Sequence, residues 1–486
     1  TIEEKYTYCE DFPDELITEI VVNDSSLGKL SYDGLKRITS ESRCGGKIDY
    51  IYSSDEDSKP SEIIHPEGDK TKRYYHEYSE DKTVETTHGN ISTFSYDKSG
   101  KRLKSHSNIN TSSNYKFNEL DQVVEVTTEH SNTVKRKMDH SYSTLGTLQS
   151  TTDFFGEVKN IATDECGRPT KITYDKNNVT NSFSISYDKL SRPKRYTSTS
   201  DDNTLKIDIL YNKKGLESER TFTLDDAVIS KVEYQYNSSL RLTSKQSVSL
   251  YDTTDEEMTY DDYGRLITYA CTGSRPVKDR FGNEVSSQAF SYDNLGNITK
   301  VYTAFHDGSD NTEEYKYSSD EPLLLEQVSN THPDYPNETF KFDKAGNQLN
   351  DTIGNNYHYN ANDQLVKVTS SDERLLSEYF YDAFGKQVKI LEPGKSENYF
   401  YYENDMLTGE VKDNHEISYN HLNGLVIGHM SSFNNKTKPQ LYLNDVMNTI
   451  IGTVSDKVDF RQYAPFGQEE ELQLKFTQIN DGEKYD

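Results

Sequence analysis

Tyr260-Asp261-Asp-Tyr-Gly264-Arg-Leu266 and Tyr292-Asp293-Asn-Leu-Gly296-Asn-Ile298 are two copies of one short phrase: an aromatic, an Asp, two variable residues, a Gly, a polar residue and an aliphatic. The phrase returns as Tyr96-Asp97-Lys-Ser-Gly100, Phe342-Asp343-Lys-Ala-Gly346 and Tyr381-Asp382-Ala-Phe-Gly385, with Tyr211-Asn212-Lys-Lys-Gly215 as a variant. Other copies keep the frame and lose the glycine: Tyr32-Asp33, Phe117-Asn118, Tyr187-Asp188, Tyr236-Asn237 and Tyr359-Asn360. A unit recurring roughly every twenty residues marks a repeat architecture.

Each position has a physical reason. The aromatic ends a strand and packs across to its neighbour. Asp or Asn opens the turn by accepting backbone N–H bonds on a short side chain. Gly, or Asn and Asp in the decayed copies, supplies the positive φ that closes a hairpin loop. The next polar residue is expected to point to water, and the aliphatic starts the return strand. Between turns the sequence alternates, as in Arg-Pro-Thr-Lys-Ile-Thr-Tyr at 168–174 and Gln-Leu-Val-Lys-Val-Thr at 364–369, which is the two-residue period of strands. No convincing amphipathic stretch at helical spacing stands out. The expectation is an all-β chain of antiparallel hairpins in a single-layer sheet. A lone hairpin is marginal in water, so the units must stack edge to edge. The two ends of such a stack present open edges unless capped.

Composition narrows this further. Of 486 residues only 32% are hydrophobic and 28% are charged, with a net charge of −28, values that border on disorder. The 37 Tyr and 19 Phe contradict disorder: a ring with a polar tip suits a sheet whose two faces are both partly wet. No single thick core is expected. The 82 Asp and Glu against 54 Lys and Arg repel phosphate backbones and anionic lipid, so nucleic acid is not an expected partner. The acidity serves either solubility or a lining for a basic cargo. Cys9, Cys44, Cys166 and Cys271 are far apart, which indicates isolated buried thiols rather than a zinc site or a disulfide framework. No run approaches the length of a membrane span, and no signal peptide is visible.

The repeated Tyr-Asp-x-x-Gly-[Arg/Asn]-[Leu/Ile] unit resembles the YD repeat of Rhs proteins and of the cocoon of bacterial Tc toxins, over nearly the whole chain. Tyr260–Thr303 and Asn330-Thr-His-Pro-Asp-Tyr-Pro336 are similar to segments typical of Tc-like Rhs proteins, and Tyr442-Leu-Asn-Asp445, Gly452-Thr-Val and Tyr463-Ala-Pro-Phe-Gly467 resemble the start of the Rhs-associated core. The resemblance implies a sheet spiralling into a hollow shell that encloses a toxin or effector. A second shell-completing chain and a delivery component are its implied further partners, in a secreted or exported bacterial system. It divides the chain into a repeat wall over 1–400, the start of the core region over 401–468 and an acidic C-terminal end over 469–486. The family's Asp-Pro-containing self-cleavage motif is absent from this sequence, which is expected to be a fragment of a longer protein.

Enzymatic signatures fail on spacing. Gly394-Lys395-Ser396 imitates the end of a phosphate loop, but Lys389 stands where its first glycine belongs. His415-Glu416 is followed by His421 rather than by the histidine of a zincin, so these histidines are expected on the solvated surface. Asp307-Gly-Ser-Asp310-Asn311 lacks EF-hand spacing. The chain is therefore expected to be non-catalytic, without metal or cofactor. Its defining sites are the turns Tyr32, Asp33, Tyr96, Asp97, Gly100, Tyr187, Asp188, Tyr260, Asp261, Gly264, Tyr292, Asp293, Gly296, Phe342, Asp343, Gly346, Tyr381, Asp382 and Gly385. The alternative is a cell-surface protein whose repeated tyrosines bind carbohydrate.

Overall fold

A computed structural model describes residues 4–475, except 11–14, 24, 44, 77–79, 88, 100–101, 132–134, 201–202, 251, 423, 456 and 464–468. Every extended regular element among the described residues is a strand. Twenty-nine strands from Glu4–Tyr8 to Glu338–Thr339 form one sheet, and twelve from Asn356–Tyr359 to Glu469–Lys475 form a second. In both sheets each strand pairs antiparallel with its successor, as a chain of hairpins requires. The stretch 40–90, where the repeat is unclear, joins the same ladder through Gly46–Ile51, Glu62–Ile64, Lys70–Tyr75 and Asp81–Thr86.

The repeat fixes the register. Tyr187 pairs with Pro193 while Ser186 pairs with Arg195, so Lys194 is an extra residue, a bulge, at the root of the hairpin. The same shift occurs at Tyr32, Tyr211, Tyr260, Tyr292 and Tyr381. On the opposite edge of the ladder, two-residue loops such as Asn177-Asn178, Asp225-Asp226 and Asn434-Asn435 have both residues at positive φ, the mirror-image turn whose twist suits a tight hairpin.

The ladder curls back on itself. Asn23 Nδ2 donates to the carbonyl of Asn294, 271 residues away. Flat, roughly two dozen intervening strands would separate them by on the order of 100 Å. Further contacts repeat the offset: Asn108 Nδ2 to the carbonyl of Tyr381 at 273 residues, the Lys344 N–H to Glu67 at 277, Asn420 to Glu157 at 263, and Asn177 to Thr437 at 260. Elsewhere the offset is shorter, 247 residues from Tyr174 to His421 and 224 from Arg220 to Asn444; the chain thus winds as a spiral whose wraps vary in length, and its second wrap, mostly the twelve-stranded sheet, is seated against the first. The ladder is not closed, because its first strand pairs only with the second and its last only with the one before.

Burial follows this winding. One cluster joins Ile172, Phe222 and Leu224 of the first sheet to Met430, Leu441 and Phe460 of the second. Another sets Met138, Phe154 and Phe155 against Tyr401. The third lies within the first sheet, where Val277 and Tyr335, from two long loops, cover Tyr269 and Phe305. The apolar residues are distributed over three patches rather than one thick core.

Candidate functional site

The most regular feature of the surface is the row of repeat turns along one edge of the ladder. In each, the Asp or Asn accepts two backbone N–H bonds. Asp33 Oδ1 takes those of Leu35 and Arg37, Asp188 those of Leu190 and Arg192, and Asp293 those of Leu295 and Asn297. Asp343 and Asp382 do the same for the second and fourth residues after them, and Asp261 accepts from Arg265 N–H. Gly264, Gly296, Gly346 and Gly385 have φ between 84° and 90°, a conformation that costs other residues free energy. In the glycine-free copies that position is Lys36, Asp121, Ser191, Leu240 or Asp363, all near φ +60°. The rule is therefore wider than the expected Asn or Asp: the surrounding ladder imposes the conformation. Asp97 accepts from the Arg102 side chain at 2.7 Å across a loop one residue longer, and Gly100 lies outside the described residues.

The polar residue after the glycine does not point to water as expected. Arg168 Nε donates to Asp164 at 2.8 Å, and Arg192 and Arg265 likewise hold Asp188 and Asp261. The Arg168 guanidinium, together with its backbone N–H, keeps the Asp164 carboxyl below the usual carboxylate range. The guanidinium then stacks on the tyrosine of the following repeat: Arg37 over Tyr52 at 4.2 Å, Arg168 over Tyr187 at 4.5 Å, Arg192 over Tyr211 at 4.2 Å and Arg265 over Tyr292 at 4.6 Å. Such stacking is favourable by roughly 0.5–1 kcal/mol at exposed sites. Where Asn or Gln replaces Arg, the amide still reaches the next turn, as Asn297 does to Pro322 and Gln364 to Gly385.

The tyrosine completes a latch. Tyr187 OH donates to the carbonyl of Pro169 at 2.7 Å, Tyr211 to Pro193 at 2.7 Å, Tyr260 to Leu242 at 2.7 Å, Tyr292 to Leu266 at 2.6 Å and Tyr381 to Leu365 at 2.6 Å. Each acceptor is the residue that opens the return strand of the preceding repeat, next to the bulge. Tyr32, Tyr52, Tyr75, Tyr142, Tyr317 and Tyr402 make the same bond. Tyr96 packs edge-on against His76 instead, and Phe342, without a hydroxyl, pairs with Gln348 in the link between the sheets. The latching phenols are committed to backbone carbonyls and partly buried.

The seam between the wraps is the other concentration of chemistry, and its residues carry no repeat signature. Arg220 and Glu217 form a buried ion pair, and Arg220 also donates to the carbonyls of Asn444 and Asp445. Asn420 donates to Glu157 at 2.9 Å, and burial, then the neighbouring Asp153, raises the Glu157 carboxyl well above its ordinary range. Tyr174 OH donates to the carbonyl of His421 at 2.6 Å. A cavity of about 750 Å³ opens in the seam, lined by His106, His130, His140, Tyr115, Phe384 and Glu403 among others. These three histidines are buried; of the two expected on the solvated surface, His421 is buried as well and His415 is half-buried. Cys271 is buried, Cys9 half-buried and Cys166 exposed at the crest of a turn, while Cys44 lies outside the described residues; the expectation of buried thiols fails for Cys166. Among the described residues, no cluster of three or more His, Cys, Asp or Glu could hold a metal ion. No helix there is long and apolar enough to cross a membrane.

Comparison with known proteins agrees with this geometry. A family model described as Teneurin YD-shell matches residues 29–421. The tRNA3(Ser)-specific nuclease WapA of Bacillus spizizenii is 30% identical over 165 residues, 32% of this chain and 6% of that protein. The Photorhabdus luminescens Tc holotoxin pore with a mutant TccC3 is similar over 99% of this chain at a TM-score of 0.71 and 13% identity. TcdB2-TccC3 without its hypervariable C-terminal region is similar over 99% at 0.63 and 12%. The chain spans 26% and 27% of those two chains.

Proposed function

Because the chain belongs to the Teneurin YD-shell family, we propose that it is a non-catalytic segment of the wall of a shell that encloses a toxin or effector polypeptide. The observation that carries this reading is the series of contacts between successive wraps, which recur along the chain at offsets such as 224, 247, 263, 271 and 277 residues. A ladder that returns to itself at one place after another along its length surrounds space, and each wrap rests on the one before. The repeat turns, from Tyr32 and Asp33 to Tyr381, Asp382 and Gly385, are its structural sites: they lock consecutive hairpins and perform no chemistry. Residues 1–400 form the wall, 401–468 are the start of a core region, and 469–486 are an acidic stretch of a longer parent protein. The enclosed polypeptide, a second shell-completing chain and a delivery component are the proposed partners, in a secreted or exported bacterial system. The WapA match covers too little of that nuclease to bring its activity here. The latch argues against the carbohydrate reading, since it occupies the hydroxyls that a sugar would need.

Electron microscopy of the full-length parent protein tests this. The expected result is a β-shell around a lumen with density that the wall sequence does not account for. An open stack of hairpins without a cavity would refute it.

A further inference from the structure

Three histidines from three strands of the first wrap meet the second wrap at one place. His106 of Leu103–Ser107 packs edge-on against Phe384 at 4.7 Å. His130 of Val123–His130 lies against Tyr401 at 4.6 Å and Tyr399 at 5.4 Å. His140 of Arg136–Tyr142 approaches Glu403 at 3.4 Å through Nε2, and its Nδ1 bonds Thr151. All three are buried and line the seam cavity. The charges around them are unequal. His130 faces the cations Arg136 and Lys389 besides the backbone of Phe400 and its two tyrosines. His106 faces Asp382 and Lys386 as well as Tyr115. His140 faces Glu403, Asp139 and Lys159. Arg136 and Lys389 are themselves paired with Glu416 and Glu397, so a proton added at His130 puts a buried positive charge beside two cations whose carboxylates are already engaged.

We infer that the seam between the wraps is an acid-responsive joint, which separates around His130 when the surroundings acidify while the rest of the ladder stays paired. Burial depresses all three histidines, His130 from 6.5 to about 4. The sign follows. A base whose folded pKa is lowered contributes full stability above about 6.5, and that stability is lost as the pH falls from there toward about 4, because the opened state binds the proton first. For His130 alone, acidification from neutral pH to about pH 5 favours the opened seam by about 20-fold. The proposal concerns the chain itself and not what the shell encloses.

Hydrogen exchange followed by mass spectrometry at neutral pH and near pH 5, corrected for intrinsic rates, tests it on the whole chain. Exchange is expected to accelerate in Val123–His130, Gln387–Leu391 and Asn398–Glu403 but not in Val285–Tyr292 or Ile298–Phe305. His130→Phe, which keeps a ring and cannot take the proton, should lose most of the response. Glu403→Gln removes the anion that offsets a charge on His140 and should move the opening to higher pH. Unchanged seam protection in the wild type, uniform acceleration across the ladder, or a Glu403→Gln profile identical to wild type would each overturn the joint. None of these outcomes bears on whether the parent encloses a lumen, which microscopy decides separately.

Discussion

Leu240 stands at φ +64°, where the clear repeats place glycine, and it is half exposed. A side chain in that left-handed region costs about 1–2 kcal/mol, and an exposed leucine returns little of it. Leu240→Gly should stabilise the chain by up to about 1 kcal/mol, after subtraction of glycine's greater freedom in the unfolded state, and urea unfolding would read the gain. Tyr211→Phe probes the other end of the unit. It keeps the ring under Arg192 and removes only the bond to Pro193, so a loss of about 1 kcal/mol is expected; no loss would mean that the ring alone holds the hairpins. The turn positions were legible in the sequence because Asp, Gly and the strand-ending aromatic act within a few residues of one another. The latch was not, because its acceptor is a carbonyl of the preceding repeat, and every residue type has one.

At the level of hairpins, the sequence announces one edge of the ladder and hides the other. The repeat turns carry a long signature, whereas the opposite edge is closed by pairs such as Asn434-Asn435, at φ +49° and +61°. Two adjacent asparagines in a polar chain do not stand out, yet they do what glycine would do. Replacing both by alanine should cost about 2 kcal/mol and speed exchange in Leu425–Phe433 and Lys436–Asn444, the strands they join. If exchange stayed unchanged, the strands and not the loop would be setting the register. The stretch 40–90 teaches the same lesson: Tyr52 and Tyr75 latch to Ile38 and Pro60 there without an Asp-Gly turn. Strand pairing tolerates loss of the turn chemistry as long as neighbours on both sides hold the register.

At the level of the molecule, the wrap is a property of curl that accumulates over some two dozen strands, and no local pattern encodes it. That is why the seam contacts of the buried histidines, the Arg220 bonds to Asn444 and Asp445 and the intersheet cluster were invisible to sequence: each acquires its partner only after a full wrap. The cluster makes the dependence testable. Leu441, fully buried in the second sheet, packs in the same cluster as Phe222 and Leu224 of the first. Truncation to alanine should cost about 2–5 kcal/mol. If the wraps are one cooperative unit, protection should fall in Glu217–Leu224 and Ala227–Tyr236, far away along the chain, as well as in the flanking Leu425–Phe433 and Ile450–Val454. Val285–Tyr292 should be spared, because its cluster contains no residue of the second sheet. Loss confined to the strands beside Leu441 would show instead that the second wrap rests on the first without stabilising it, and the wall would then owe its strength to the latches alone.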